Sequence, residues 1–267
     1  MTTQLQAETR PTAHAENTAT SAVPPPTTIN RLLLYLALIA LVPVAYQHLL
    51  VTGWGLPSLP VTEAGVAIFV ALFSLFHSLA THGWRNTLAL FSITAVVSWS
   101  FEQVGAATGL VYGAYHYSDA LGPKLGHVPF AIPIAWYSML YLSYAMARLI
   151  TEGLVQRRRP GILPVLWQAF VTGMVITAWD VLVDPLASGP NALSWVWEHG
   201  GAFYGVPTQN FVGWVMTGFT VIVCYRCYER FFPTRALGAQ TRTIAALPLI
   251  VYGIIMVQMM VRHDAPT

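Results

Sequence analysis

Two carboxylates close an otherwise apolar run, Trp179-Asp180-Val181-Leu182-Val183-Asp184-Pro185. Four residues apart, they share one face of a helix. A third, Glu102, closes another such run, Ser98-Trp99-Ser100-Phe101-Glu102-Gln103-Val104-Gly105. Carboxylates at membrane depth are costly, so a functional site is the first reading. Like charges one turn apart repel, and a proton held on one of them relieves that repulsion. The pair then offers what proton transfer needs, an acid beside a base. Paired carboxylates also suit a hard cation such as Mg²⁺, and that reading stays open here. Plainer roles exist. Asp184-Pro185 can end a helix with Asp180 in contact with solvent, and Glu102 can meet water at an interface or pair with Lys124. The apolar and aromatic neighbours of Glu102 favour a partly desolvated acid.

Rings and polar groups gather near these carboxylates. One stretch carries Tyr112, Tyr115, His116 and Tyr117, with Trp136 further on. The other carries Trp195, Trp197, His199, Phe203 and Tyr204, followed by Asn210, Phe211 and Trp214. Interfacial aromatic belts account for some of these. The remainder can wall a long apolar ligand or stabilise a cation through ring faces. Asn210 can orient a substrate, a water or a carboxylate by its amide, or simply occupy a helix N-terminus. His48 is isolated. His77 and His82 are five apart and do not share a helical face, so they read as structural or interfacial. Cys224 and Cys227 form a CxxC, but zinc needs four ligands and the chain has two cysteines in all. They read as small packing residues, and no metal site is expected.

The positioning elements follow from composition. The chain is 55% hydrophobic and 9% charged, with mean hydropathy +0.55. A soluble domain carries about 25% charged residues, so an integral membrane protein is expected. The net charge of +2 and the lack of a basic patch interleaved with aromatics leave no case for nucleic acid. Residues 1–29 are polar and rich in Thr, Ala and Pro, and read as a disordered tail. No apolar segment lies near enough to the start to suggest a secretory signal. Residues 30–267 read as one all-α, polytopic membrane helix bundle with about seven transmembrane helices. The apolar segments lie near 31–51, 63–82, 86–104, 129–150, 162–183, 210–228 and 243–261, and Pro43 can kink the first.

Basic residues set the orientation. Arg148, Arg157, Arg158 and Arg159 follow segment four, and Arg226, Arg230, Arg235 and Arg242 follow segment six. With Arg31 and Arg85 they put the N-terminus in the cytoplasm and the C-terminus outside, against which Arg262 is a small dissent. The long loops 105–128 and 184–209 then share the outer side. Their Gly, Pro, Tyr and Trp content predicts ordered loops folded back over the bundle. They bring Glu102, Asp180 and Asp184 together with one lysine, Lys124, and no arginine. There is also an internal echo: Val128-Pro129 precedes Trp136 by the same interval as Val206-Pro207 precedes Trp214. Two facing helix–loop–helix units would enclose a cleft.

Several motifs carry a family resemblance. Glu102-x-x-Gly105-x-x-x-Gly109-x-x-Tyr112-Gly113-x-Tyr115-x-Tyr117, Gly126-His127-Val128-Pro129 and Ile132-Pro133-x-x-Trp136 resemble the first half of the membrane carotenoid-biosynthesis hydratases. Asp180-x-x-x-Asp184-Pro185, Trp195-x-Trp197 and Tyr204-Gly205-Val206-Pro207-x-x-Asn210-Phe211-x-Gly213-Trp214 resemble the second half. The resemblance covers about 100–260 and is strongest in the second block. That family includes carotenoid 1,2-hydratases and bisanhydrobacterioruberin hydratases. His127 departs from the family pattern, which bears only on its own role.

The resemblance implies addition of water to the terminal C=C of a linear (psi) carotene end group, giving a tertiary alcohol with neither O₂ nor a cofactor. Asp180 or Asp184 would be the acid and Glu102 the water-activating base. Tyr112, Tyr115, Tyr117, Trp136, Trp195, Trp197, Tyr204, Asn210, Phe211 and Trp214 would bind substrate. Candidate partners are the carotene, membrane lipid, a second copy of the chain and other carotenoid-pathway enzymes. Two alternatives stand beside this: a Mg²⁺-dependent intramembrane prenyltransferase or elongase, and a non-enzymatic carotenoid- or lipid-binding membrane protein or small transporter. The former needs Lys or Arg for a diphosphate, which the outer loops barely supply.

Overall fold

A computed structural model describes residues 27–47, 54–57, 63–153, 161–190, 192–233 and 242–263. Six helices carry these residues: α1 (Thr28–Ala45), α2 (Glu63–Thr108), α3 (Ala131–Glu152), α4 (Ile162–Ala187), α5 (Thr208–Phe231) and α6 (Arg242–His263). Five of them, all but α3, contain stretches long and apolar enough to cross a membrane. The tail up to residue 26, His48, Arg157–Arg159 and Arg235 lie outside the described residues.

The expected segments 63–82 and 86–104 both lie in α2, as two helices that meet at a kink. Its backbone breaks at Gly83 (φ 77°, ψ 162°), a conformation that is essentially glycine's alone. Ser78 Oγ and Thr87 Oγ1, one on each side, are 2.9 Å apart. Nine residues of straight helix would separate them by about 13 Å, so α2 doubles back as a hairpin. Pro43 lies in the last turn of α1, and residues 48–51 of the first expected segment lie outside the described residues.

α3 packs against α2, α4 and α6 and is the most enclosed helix. It buries Trp136, Tyr137, Ser138, Tyr141, Ser143 and Tyr144, which explains its lower apolarity: it faces protein. α4 and α5 approach closely. A Cβ on Gly173 would fall 2.7 Å from the Val215 carbonyl oxygen, so a side chain there would force the helices apart.

The bundle has two chemically distinct ends. At one, Arg226 pairs with Glu229 (2.6 Å) and Glu152 (3.5 Å), and donates to the Tyr144 hydroxyl (3.2 Å). Arg148 lies 3.7 Å from Glu152. At the other end the two long connections are ordered, as expected, but with short strands that the all-α reading did not contain. β1 (Tyr115–Tyr117) pairs antiparallel with β4 (Trp195–Trp197), and β2 (Lys124–Leu125) with β3 (Val128–Pro129). The internal echo is structural. Leu125 pairs with Val128 across a two-residue turn, and Phe203 pairs with Val206 across another. Trp136 and Trp214, at matching positions beyond those turns, stack at 4.0 Å.

Replacing Gly83 by Ala forces a side chain into the turn of α2. We expect a loss of about 1–3 kcal/mol, read as a lower melting temperature of the detergent-solubilised protein. Unchanged melting would mean that the hairpin does not depend on this conformation.

Candidate active site

Glu102 lies buried in the last turns of α2, where its oxygens need donors from protein. Oε1 accepts from Trp136 Nε1 at 2.8 Å. Oε2 accepts from the hydroxyls of Tyr117, at 2.8 Å, and Tyr115. Tyr115 and Tyr117 alternate along β1, so both point inward while His116 points out. Lys124 is not the partner of Glu102: it donates to the Tyr117 carbonyl (2.8 Å) and to Asp119 (3.0 Å).

The second half repeats this logic with other donors. Asp184 Oδ1 accepts from Trp195 Nε1 (2.9 Å) and Trp197 Nε1 (3.0 Å). Asn210, in the first turn of α5, spans the two aspartates. Its Nδ2 donates to Asp184 Oδ2 and to Asp180 Oδ2, each at 2.7 Å. Asp180 Oδ1 is buried and has no hydrogen-bond partner among the described residues. Tyr115 faces Trp197 and Tyr117 faces Trp195 across the β1–β4 ribbon. One ribbon therefore supplies four of the donors that hold Glu102 and Asp184. Each carboxylate nevertheless draws its donors from its own half of the chain.

Tyr112 lies between the halves. Its ring fills the space left by two glycines: a Cβ on Gly105 would come 2.7 Å, and one on Gly213 2.4 Å, from ring carbons. Its hydroxyl is 2.8 Å from Thr217 Oγ1. The charges of both Glu102 and Asp180 act on it, and Glu102 in turn feels Asp184. The three carboxylates expected to converge thus form one electrostatic cluster. Below them Trp214 stacks on Trp136 and lies 5.7 Å from the Trp179 ring.

Other expected residues fall elsewhere. Tyr204 stands at the tip of its turn, 72% exposed, with a positive φ of 48°. It and Phe211 both set edges against Phe203, forming an aromatic group apart from the donors of the carboxylates. Cys224 and Cys227 are exposed on α5, so the packing role expected for them fails: their side of the helix faces away from the bundle. His77 is structural, bonded to the Tyr141 hydroxyl (2.6 Å) and the Ile244 carbonyl (2.9 Å). Thr217, Trp179 and the cradle of Gly105 and Gly213 were not singled out. The signal for Thr217 was present, because Asn210, Gly213, Trp214 and Thr217 follow the i, i+3, i+4, i+7 pattern of one helix face.

Over residues 62–264 the sequence matches the family described as "Carotenoid biosynthesis protein". The chain belongs to that family. A protein of Haloarcula japonica named bisanhydrobacterioruberin hydratase is 33% identical over 143 residues, covering 53% of this chain and 45% of that protein. The chain thus spans less than half the length of this curated relative. No solved structure matches.

In this carotenoid biosynthesis protein, burial pushes the phenols of Tyr112, Tyr115 and Tyr117 well above their ordinary range, and the charge of Glu102 pushes them the same way. A raised phenol favours the protonated form in the folded state. Its contribution to stability is therefore full below the unfolded value near 10 and is lost as pH rises beyond it. We expect these three tyrosines to stay silent in an absorbance titration until the protein unfolds, and melting temperature to fall above about pH 10. Their ionisation in the folded protein near the ordinary value would contradict the burial described.

Proposed function

We propose that the chain is a carotenoid hydratase. It adds water to the terminal double bond of a linear (psi) end group on a long apolar carotene, giving a tertiary alcohol. Asp180 Oδ1 carries the reading: it is the one carboxylate oxygen of the cluster that is buried and unpartnered. It is the atom free to hold a proton and pass it to a π bond. Both oxygens of Glu102 and both of Asp184 are engaged by donors, which suits them to remain as fixed negative charge or to accept a proton.

In the first step the Asp180 proton moves to the CH carbon of the alkene, and the π electrons become that C–H bond. A tertiary carbocation is left on the carbon bearing two methyl groups. Ring faces, with the stacked Trp136 and Trp214 nearest to hand, and the fixed carboxylates stabilise it. Water then bonds to the cationic carbon and gives a proton to Glu102. Return of that proton to Asp180 closes the cycle, so one water is consumed per alcohol formed. The chemistry needs no O₂ and no redox cofactor.

Membership in a carotenoid biosynthesis family and a relative named as a hydratase support this reading. So does the scarcity of cations around the carboxylates among the described residues, where Lys124 is already engaged with Asp119. The prenyltransferase alternative fares worse on its donor set. N–H groups of Trp195, Trp197 and Asn210 point at the oxygens that a Mg²⁺ would take, whereas that ion prefers oxygen ligands throughout. By the basic-residue bias, Arg148, Arg226 and Arg230 mark the cytoplasmic side and the carboxylates lie toward the outer side.

The test is expression in a lycopene-producing host with analysis of the pigment. We expect a hydroxylated carotene whose oxygen comes from labelled water; label from O₂ would sink the hydratase reading. Asp180→Asn, Asp184→Asn and Glu102→Gln should each lower product by about 10²-fold or more while the protein stays in the membrane. Full activity in any of them removes that residue from the mechanism.

A further inference from the structure

The two halves of the site differ in the side chains they set at matching positions. Beside Glu102 a cavity of about 240 Å³ opens, lined by Ala106, His116, Tyr117, Lys124, Gly126 and His127. Ala106 lies one helical turn beyond Glu102, on the same face of α2. Tyr117 lines the cavity and donates its hydroxyl to Glu102 Oε2 at 2.8 Å. The cavity therefore ends one side chain away from the carboxylate. His116, Gly126 and His127 are exposed, so its mouth faces solvent.

The matching positions of the second half carry different side chains. Where the first turn has Gly126 and His127, the second has Tyr204 and Gly205. Val196 lies opposite His116 in the ribbon. The position that repeats Ala106 is Asp184 itself, its Oδ1 closed over by two indole N–H groups. At these positions the first half carries Ala106, His116, Gly126 and His127, and the second carries Asp184, Val196, Tyr204 and Gly205.

We propose that the cavity beside Glu102 is the water inlet of the enzyme, with Tyr117 as its gate, so that water reaches the substrate from the Glu102 half while the alkene is protonated from the Asp180 half. The proposal rests on the hydratase reading above. Its chemical logic is control of a carbocation. Open contact with bulk water would quench the proton donor, whereas a closed site would let the cation lose a proton and revert. A narrow inlet ending at a carboxylate delivers water to the base that must accept its proton, and keeps the remaining walls dry.

The partition of the cation provides the test. In deuterated water, Asp180 delivers a deuteron to the alkene CH carbon. The cation then captures water and forms the alcohol, or gives a proton to a carboxylate and leaves as deuterated carotene: the starting alkene if the proton comes from the CHD carbon, an isopropenyl isomer if it comes from a methyl group. Ala106→Phe fills the cavity, and His127→Trp narrows its mouth from an exposed position that no packing depends on. With a linear carotene as substrate, we expect the ratio of alcohol to deuterated carotene to fall by about tenfold or more in both variants. An unchanged ratio in both, with wild type active, would overturn the inlet. If Ala106→Phe loses both products through misfolding, the His127→Trp ratio decides in the same way. Wild type that yields neither alcohol nor deuterated carotene would overturn the hydratase reading instead.

Discussion

A carboxylate buried at the end of a membrane helix is largely cut off from bulk water, and its oxygens must find N–H or O–H groups in the protein. Much of the architecture at one end of this bundle answers that requirement. The β1–β4 ribbon turns two phenols and two indoles toward Glu102 and Asp184. Helix α3 contributes the Trp136 indole, and α5 contributes the Asn210 amide to both aspartates. These donors are neutral, so the cluster keeps its negative character in a region almost free of basic side chains. Arg148 and Arg226 sit at the opposite end, engaged with Glu152 and Glu229.

The repeat then turns symmetry into difference. Two helix–loop–helix units place matched elements face to face: the paired strands, the two-residue turns and the stacked Trp136 and Trp214. A site at the junction of two such units receives one wall from each. Because the side chains at matching positions differ, the walls need not share a task. A reaction that handles a proton and a water in separate steps suits such a division.

Much of this was legible in the sequence because membrane burial makes charge conspicuous. Glu102, Asp180 and Asp184 stand out where there are 11 Asp and Glu residues in 267, and the aromatic loops stand out by composition. The helix spans followed from apolar length. The break between segments 63–82 and 86–104 was legible and falls at Gly83; the doubling back there was not, since a lone glycine among apolar residues does not fix the angle between two helices. The short strands were missed because Tyr-x-Tyr and Trp-x-Trp alternate over only three residues, and their partner lies far along the chain. Which aspartate differs from the other was likewise hidden. It depends on where Asn210 and the ribbon indoles reach, and spacing alone does not encode that. Tyr204 and Cys224 illustrate the converse: residue type suggested a site or a core, while side-chain direction put both outward.

That each carboxylate takes its donors from its own half bears on how the chain is made. Glu102 can be satisfied by Tyr115, Tyr117 and Trp136 before residue 137 has left the ribosome. Asp180 and Asp184 find theirs between Trp195 and Asn210. Each half can thus enter the bilayer with its charge already sheltered, as a self-sufficient unit of short-range contacts. Pairing of β1 with β4 and stacking of the two tryptophans are left for last. The carboxylate cluster therefore lies where two locally satisfied halves meet, joined by the β1–β4 pairing and the Trp136–Trp214 stack.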